Sequence, residues 1–239
     1  MRKLGIVGGA SWSSTALYYD HINRGIAARL GGLHSARLAI ESFDFEDDYA
    51  SFHRSGDWEG ANAVVVAAAT RLKASGADGL LLASNTMHKA AEAVERATGL
   101  PLVDIREATA ARLVAERHSR IALLGTRFTM TEAFARAPYE ARGLQLTELS
   151  PSWRAEVDRI IYEELAGGRV VRDSQRKLRT LITELSKQKV QAIVLGCTEL
   201  VLAVDVRANV LPVYDTTIIH ARAAVEWMLA EAEQARAAA

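Results

Sequence analysis

The chain contains one cysteine, Cys197, and its surroundings favour a thiolate. It follows the apolar run Ile193-Val194-Leu195 and a glycine, and it precedes Thr198-Glu199, which read as the first turn of a helix. A thiol at a helix start feels the positive end of the macrodipole. The expectation is therefore a pKa below the ordinary value of about 8.5 and a thiolate ready to act as a base. A free cysteine is often just a small core residue, but position 197 has a counterpart earlier in the chain. There Leu80-Leu81-Leu82-Ala83 runs into Ser84-Asn85-Thr86. A thiol and a hydroxyl thus stand at two equivalent strand ends.

Other polar candidates are weaker. Gly8-Gly9-Ala10-Ser11-Trp12 reads as a strand, a glycine turn and a helix start, a place where backbone N–H groups can approach an anion. It lacks G-x-G-x-x-G spacing, and no G-x-x-x-x-G-K-[ST] occurs, so neither a dinucleotide nor a nucleoside triphosphate is indicated. His53, Arg54, His88, Arg127 and His220 are possible contributors. No histidine pair has zincin spacing, and Asp44, Glu46, Asp47 and Asp48 lack the glycine and alternation of a calcium loop, so no metal is expected. Trp12, Trp58, Trp153 and Trp227 are scattered with no basic interleaving and read as packing residues.

The elements that must position these groups form an approximate repeat. Lys3-Leu4-Gly5-Ile6-Val7-Gly8 is matched by Arg120-Ile121-Ala122-Leu123-Leu124-Gly125; 76 residues then separate Gly8 from Ser84, and 72 separate Gly125 from Cys197. Short apolar runs at 4–7, 36–41, 79–83, 102–104, 121–124, 144–148, 192–195 and 210–213 read as strands. Between them, segments of helical period cover 14–30, 60–75, 89–98, 107–116, 154–166, 173–187 and 217–233. Strands alternating with helices indicate an α/β fold of two pseudo-symmetric domains, each a mostly parallel sheet flanked by helices. The expected halves are residues 1–100 with a returning C-terminal helix at about 215–239, and residues 101–214. Ligands of open α/β sheets sit at the carboxyl ends of the strands. Two halves facing each other would bring Ser84 and Cys197 to one cleft.

Composition narrows the function classes. The 239 residues carry 29 basic and 29 acidic side chains, a net charge of zero that gives no footprint for nucleic acid. Hydrophobic residues at 49% are enough for a sizeable core. One cysteine rules out an intrachain disulfide framework, the N-terminal apolar run is too short for a signal peptide, and no stretch has membrane-spanning length. The expectation is a cytoplasmic protein with a small-molecule partner and neither nucleic acid nor membrane.

Several segments together resemble the aspartate/glutamate racemase family over nearly the whole chain, most closely its L-aspartate/glutamate-specific branch. They are Gly8 to Thr15, Arg29 to Ala36, Ser84-Asn85-Thr86-Met87-His88-Lys89, Leu123-Leu124-Gly125-Thr126-Arg127, Gly196-Cys197-Thr198-Glu199, and Asp215-Thr216 through His220. The resemblance implies a cofactor-independent, two-base amino-acid racemase with its site between two α/β domains, and a homodimer. In the family at large both bases are cysteines; the L-specific branch has threonine at the first position, where this chain has Ser84. Cys197 is then the base toward the L-enantiomer, and Ser84, or water it holds, supplies a proton to the opposite face. Asn85, Thr86, Thr198 and Glu199 would surround the substrate. His53 and Ala10 fall where that branch has a glutamine and a methionine. The alternatives are a decarboxylase resembling arylmalonate decarboxylase, with Cys197 as the proton donor, and a dicarboxylate-binding protein without turnover.

Overall fold

The computed structural model describes residues 1–237. It contains two compact units, Met1–Asp104 joined by the chain from His220 on, and Ile105–Ile219.

In the first unit, β1 (Leu4–Gly8) leads into α1 (Trp12–Leu30), then β2 (Leu38–Ser42), α2 (Ser51–Ser55), α3 (Trp58–Ala74), β3 (Gly79–Leu82), α4 (Ala91–Thr98) and β4 (Leu102–Val103). The strands lie in the order β2-β1-β3-β4, and every pairing is parallel. β1 and β3 are buried at every residue, as interior strands covered on both faces must be. Alternation then sorts their side chains. Leu4, Ile6 and Leu81 pack with Tyr18, Ile22 and Ile26 of α1 and with Ala221, Val225 and Met228, while Val7, Leu80 and Leu82 pack with Val65, Ala68 and Leu72 of α3 and with Val94 of α4. Each buried leucine or valine of this kind contributes about 1.5–3 kcal/mol. Ser11 caps α1 by accepting from the Ser14 N–H, and Asp57 caps α3 by accepting from the Gly60 N–H.

The second unit runs α5 (Ile105–Ala115), β5 (Arg120–Leu124), α6 (Arg127–Thr131), α7 (Ala133–Ala141), β6 (Gln145–Leu146), α8 (Pro151–Glu163), α9 (Arg172–Lys187), β7 (Ala192–Leu195), β8 (Val213–Asp215) and α10 (Thr216–Ala237). Its strand order, β6-β5-β7-β8, repeats the first unit's order and is again wholly parallel. Ala122, Leu124, Ile193 and Leu195 face α8 and α9, whereas Ile121, Leu123, Ala192 and Val194 face Ala110 and Leu113 of α5 and Tyr139 of α7. From His220 on, α10 belongs to the first unit.

The structure departs from the expected elements in several places, beginning with the unexpected helical turns over Phe45–Ala50 and Ser51–Ser55. The last strand lies at Val213–Asp215 rather than 210–213, because Pro212 has no N–H to donate to the ladder and Val210 is exposed. The sixth strand pairs over only Gln145–Leu146 instead of 144–148. Two short helices occupy 127–141, where none was expected, and Pro138 lies inside the second of them. Among the described residues no helix is long and apolar enough to cross a membrane.

Candidate active site

In the first unit the register Val7↔Leu82 makes β1 and β3 end together, and the Ala83 N–H donates to the Val7 carbonyl at 2.9 Å. The loop after Gly8 and the turn after Ala83 therefore leave the sheet at the same edge. Gly9 has φ +100°, and a Cβ there would run into the Phe43 backbone, so the turn needs glycine. Thr15 Oγ1 accepts from the Gly9 N–H at 3.1 Å and donates to the Ser11 carbonyl at 2.9 Å, which fixes the loop carrying Ala10.

Ser84 is half-buried, and Asn85, Thr86 and His88 behind it are buried in a 3-10 turn, Thr86–Ala90. His88 reaches back: its Nδ1 lies 2.8 Å from the Ser84 carbonyl, and its Nε2 lies 3.9 Å from Asp104 Oδ1. Ring contact at 5.7 Å then joins His88 to His220. His220 Nδ1 meets the Tyr18 hydroxyl at 2.9 Å, and its Nε2 meets the Val103 carbonyl at 2.7 Å. Burial, and secondarily His88, pushes the His220 pKa down to about 3, so it is neutral. Below Ser84 there is thus a buried polar layer that immobilises the turn.

His53, expected against the substrate, is one of the buried polar residues of its unit. It is 8% exposed and its ring packs against Phe45, Tyr49 and Trp58. Those rings come from a π-helical turn at Phe45–Ala50, capped by Asp44, and from the start of α3. Arg54 points outward and pairs with Glu46 at 2.7 Å.

In the second unit Cys197 follows β7 in extended backbone (φ −139°, ψ 128°). The Gly196 N–H donates to the Leu124 carbonyl at 2.6 Å, and Thr216 Oγ1 donates to the Leu195 carbonyl at 2.7 Å, so both sides of the strand end are tied down. Cys197 Sγ donates to Glu199 Oε2 at 3.1 Å, and Thr198 Oγ1 donates to the same oxygen at 2.8 Å.

This arrangement corrects the expectation of a lowered thiol pKa. Burial pushes the Cys197 thiol up, and the Glu199 carboxylate adds to the rise by charge repulsion and by accepting the S–H. The following helix is a five-residue 3-10 turn, Thr198–Leu202. The Glu199 and Leu200 N–H groups do oppose the rise, but they do not overcome it. At rest the group is a neutral thiol with a carboxylate in hydrogen-bond reach.

Tyr162 and Thr126 belong to the same unit as Cys197. Thr126 caps α6, and it shares a hydrogen bond with the Tyr162 hydroxyl. Burial first, then Asp158 and Cys197, push the Tyr162 pKa up, while Arg127 lowers it. Thr126 stands inside the segment Leu123-Leu124-Gly125-Thr126-Arg127, whereas Tyr162 on α8 carries no local sequence signal. Among the described residues no group of three His, Cys, Asp or Glu side chains is arranged to hold a metal ion.

Two four-stranded parallel sheets with the same strand order, each flanked by helices, match the two-domain α/β fold of the Asp/Glu racemases. The chain belongs to the Asp/Glu/hydantoin racemase family, whose model matches residues 7–224. It is similar to a Yersinia pestis protein assigned to the Asp/Glu racemases, with 42% identity, a TM-score of 0.89, and coverage of 96% of this chain and 100% of that one. An aspartate racemase homologue from Pyrococcus horikoshii is 31% identical at a TM-score of 0.79, covering 95% of this chain and 99% of that one. The broad specificity amino-acid racemase RacX of Bacillus subtilis is 24% identical over 166 residues, 70% of this chain and 71% of that protein. Family and fold together support an amino-acid racemase, an isomerase.

Proposed function

We propose that the protein is a cofactor-independent racemase of L-aspartate, L-glutamate or both. Cys197 exchanges the α-proton on one face, and Ser84, or water it holds, does so on the other. The observation that carries this reading is the hydrogen bond from the Cys197 thiol to the Glu199 carboxylate.

A neutral buried thiol is a poor base. With Glu199 as its acceptor, the S–H proton passes to the carboxylate with no change in net charge, leaving a thiolate to take the α-proton. This assigns Glu199 to activating the thiol, a role beyond the substrate contact expected from the resemblance. Carbanion charge spreads onto the α-carboxylate, and N–H groups of the turns after Cys197 and Ser84 are suited to receive it. Ser84 cannot ionise at neutral pH as a thiol can, so its hydroxyl relays a solvent proton instead of storing one. Enantiomers in water have equal free energy, so kcat/KM is equal in the two directions for any true racemisation by this pair.

The test is incubation of L-aspartate and L-glutamate in D2O, following the α-proton signal by NMR and the D-enantiomer by chiral chromatography. Both signals are expected with the native chain and neither with Cys197→Ala. Exchange that survives Cys197→Ala overturns the assignment.

A further inference from the structure

An acidic substrate brings a second carboxylate to a wall that already holds Glu199, so this chemistry calls for a cation. Of the positions expected near the substrate, Ala10 has no charge to offer. Attention falls on Arg127. Every residue from Ile121 to Met130 is buried except this one, which is exposed. It follows Gly125-Thr126 at the carboxyl end of β5, and Leu124 of β5 stands opposite Leu195 of β7. Arg127 and Cys197 thus leave one sheet edge from adjacent strands, and both act electrostatically on the Tyr162 hydroxyl.

The side chain is also held ready. Asp158 Oδ1 accepts from the Arg127 backbone N–H at 2.6 Å, and the guanidinium lies over the Phe128 ring, 4.6 Å from its centroid. Arg136, Arg142, Arg154 and Arg159 of the same unit are each in an ion pair; among the described residues no carboxylate pairs with the Arg127 guanidinium. A planar fork of N–H donors left unpaired at a ligand-binding edge matches a carboxylate in geometry and charge.

We propose that Arg127 binds the side-chain carboxylate of the substrate and thereby selects acidic over neutral amino acids. This rests on the racemase reading above and deepens it.

The experiment compares the native chain with Arg127→Gln and Arg127→Lys on L-aspartate, L-glutamate, L-asparagine and L-glutamine, reading α-proton exchange in D2O. Loss of a charge-assisted bidentate contact is expected to lower kcat/KM for the two acids about 100-fold in Arg127→Gln, mainly through KM. The two amides should stay within about threefold of the native values, and Arg127→Lys should recover part of the loss. Equal losses on acids and amides, or no loss on the acids, overturn the proposal.

Titration calorimetry with L-aspartate and L-asparagine separates this idea from the racemase reading. A native chain that binds aspartate but does not exchange its α-proton removes the racemase reading, while loss of that binding in Arg127→Gln still supports Arg127. A native chain that binds both ligands equally overturns the role of Arg127 whatever the exchange result.

Discussion

Lowering the pH from 7.5 to 5 is expected to remove about 2 kcal/mol of folding stability through His220 alone. The side chain is fully buried and its pKa in the folded chain is about 3, set first by burial and then by His88, with the Val103 carbonyl and Asp104 pulling the other way. Tyr18 meets the same ring. In the unfolded chain the group titrates near 6.5. The unfolded state therefore gains a proton below pH 6.5 that the folded state refuses, so the contribution is intact above 6.5 and declines as the pH falls toward 3. With these two values, 2.303RT of about 1.36 kcal/mol per unit gives a loss of about 2 kcal/mol at pH 5, rising to about 4 kcal/mol near pH 3. Urea denaturation followed by circular dichroism, at pH 7.5 and pH 5, measures it for the native chain and for His220→Gln. The variant starts from a lower stability, but its change between the two pH values should be smaller than the native change by about 2 kcal/mol. An identical pH dependence in both proteins would refute the neutral, buried state of this ring.

Replacing Glu199 with Gln should lower the Cys197 pKa, because it removes repulsion by the carboxylate while leaving burial in place; thiolate absorbance near 240 nm reports it cleanly in a chain with one cysteine. The same variant should lose activity by about 100-fold or more, having lost the proton acceptor, and an unchanged rate would remove Glu199 from the mechanism. Iodoacetamide should alkylate native Cys197 slowly at pH 7, since the thiol is neutral and 8% exposed; labelling at the rate of a free cysteine would contradict the buried thiol. Gly9→Ala should lower stability by about 2 kcal/mol or more, because it forces a side chain into φ +100° against the Phe43 backbone, and a melting temperature equal to the native one would show that the turn tolerates it.

The strand ends that carry Ser84 and Cys197 were legible because β3 and β7 are buried on both faces and so read as continuous apolar runs closed by small polar residues. The shared strand order of the two units follows from the same repeat. Other features depend on contacts between segments distant in sequence. The Cys197 thiol was expected to be acidified by a helix start, but burial and the Glu199 side chain outweigh backbone N–H groups within one short turn. The aromatic rings around His53, from Phe45, Tyr49 and Trp58, are contacts that its position in the chain does not announce. Residues 127–141 hid two helices because each is short and Pro138 breaks the periodic pattern. Tyr162 reaches Thr126 from α8, a link that nothing in its local sequence announces.

Stereochemical partitioning in Ser84→Ala is the sharpest probe of the whole scheme. With L-aspartate in D2O, this variant should still wash deuterium into the L-enantiomer through Cys197 while forming D-aspartate at least about 100-fold more slowly than the native chain. Formation of D-aspartate at the native rate would mean that the second face is served by some other group, and the pairing of Ser84 with Cys197 would be wrong.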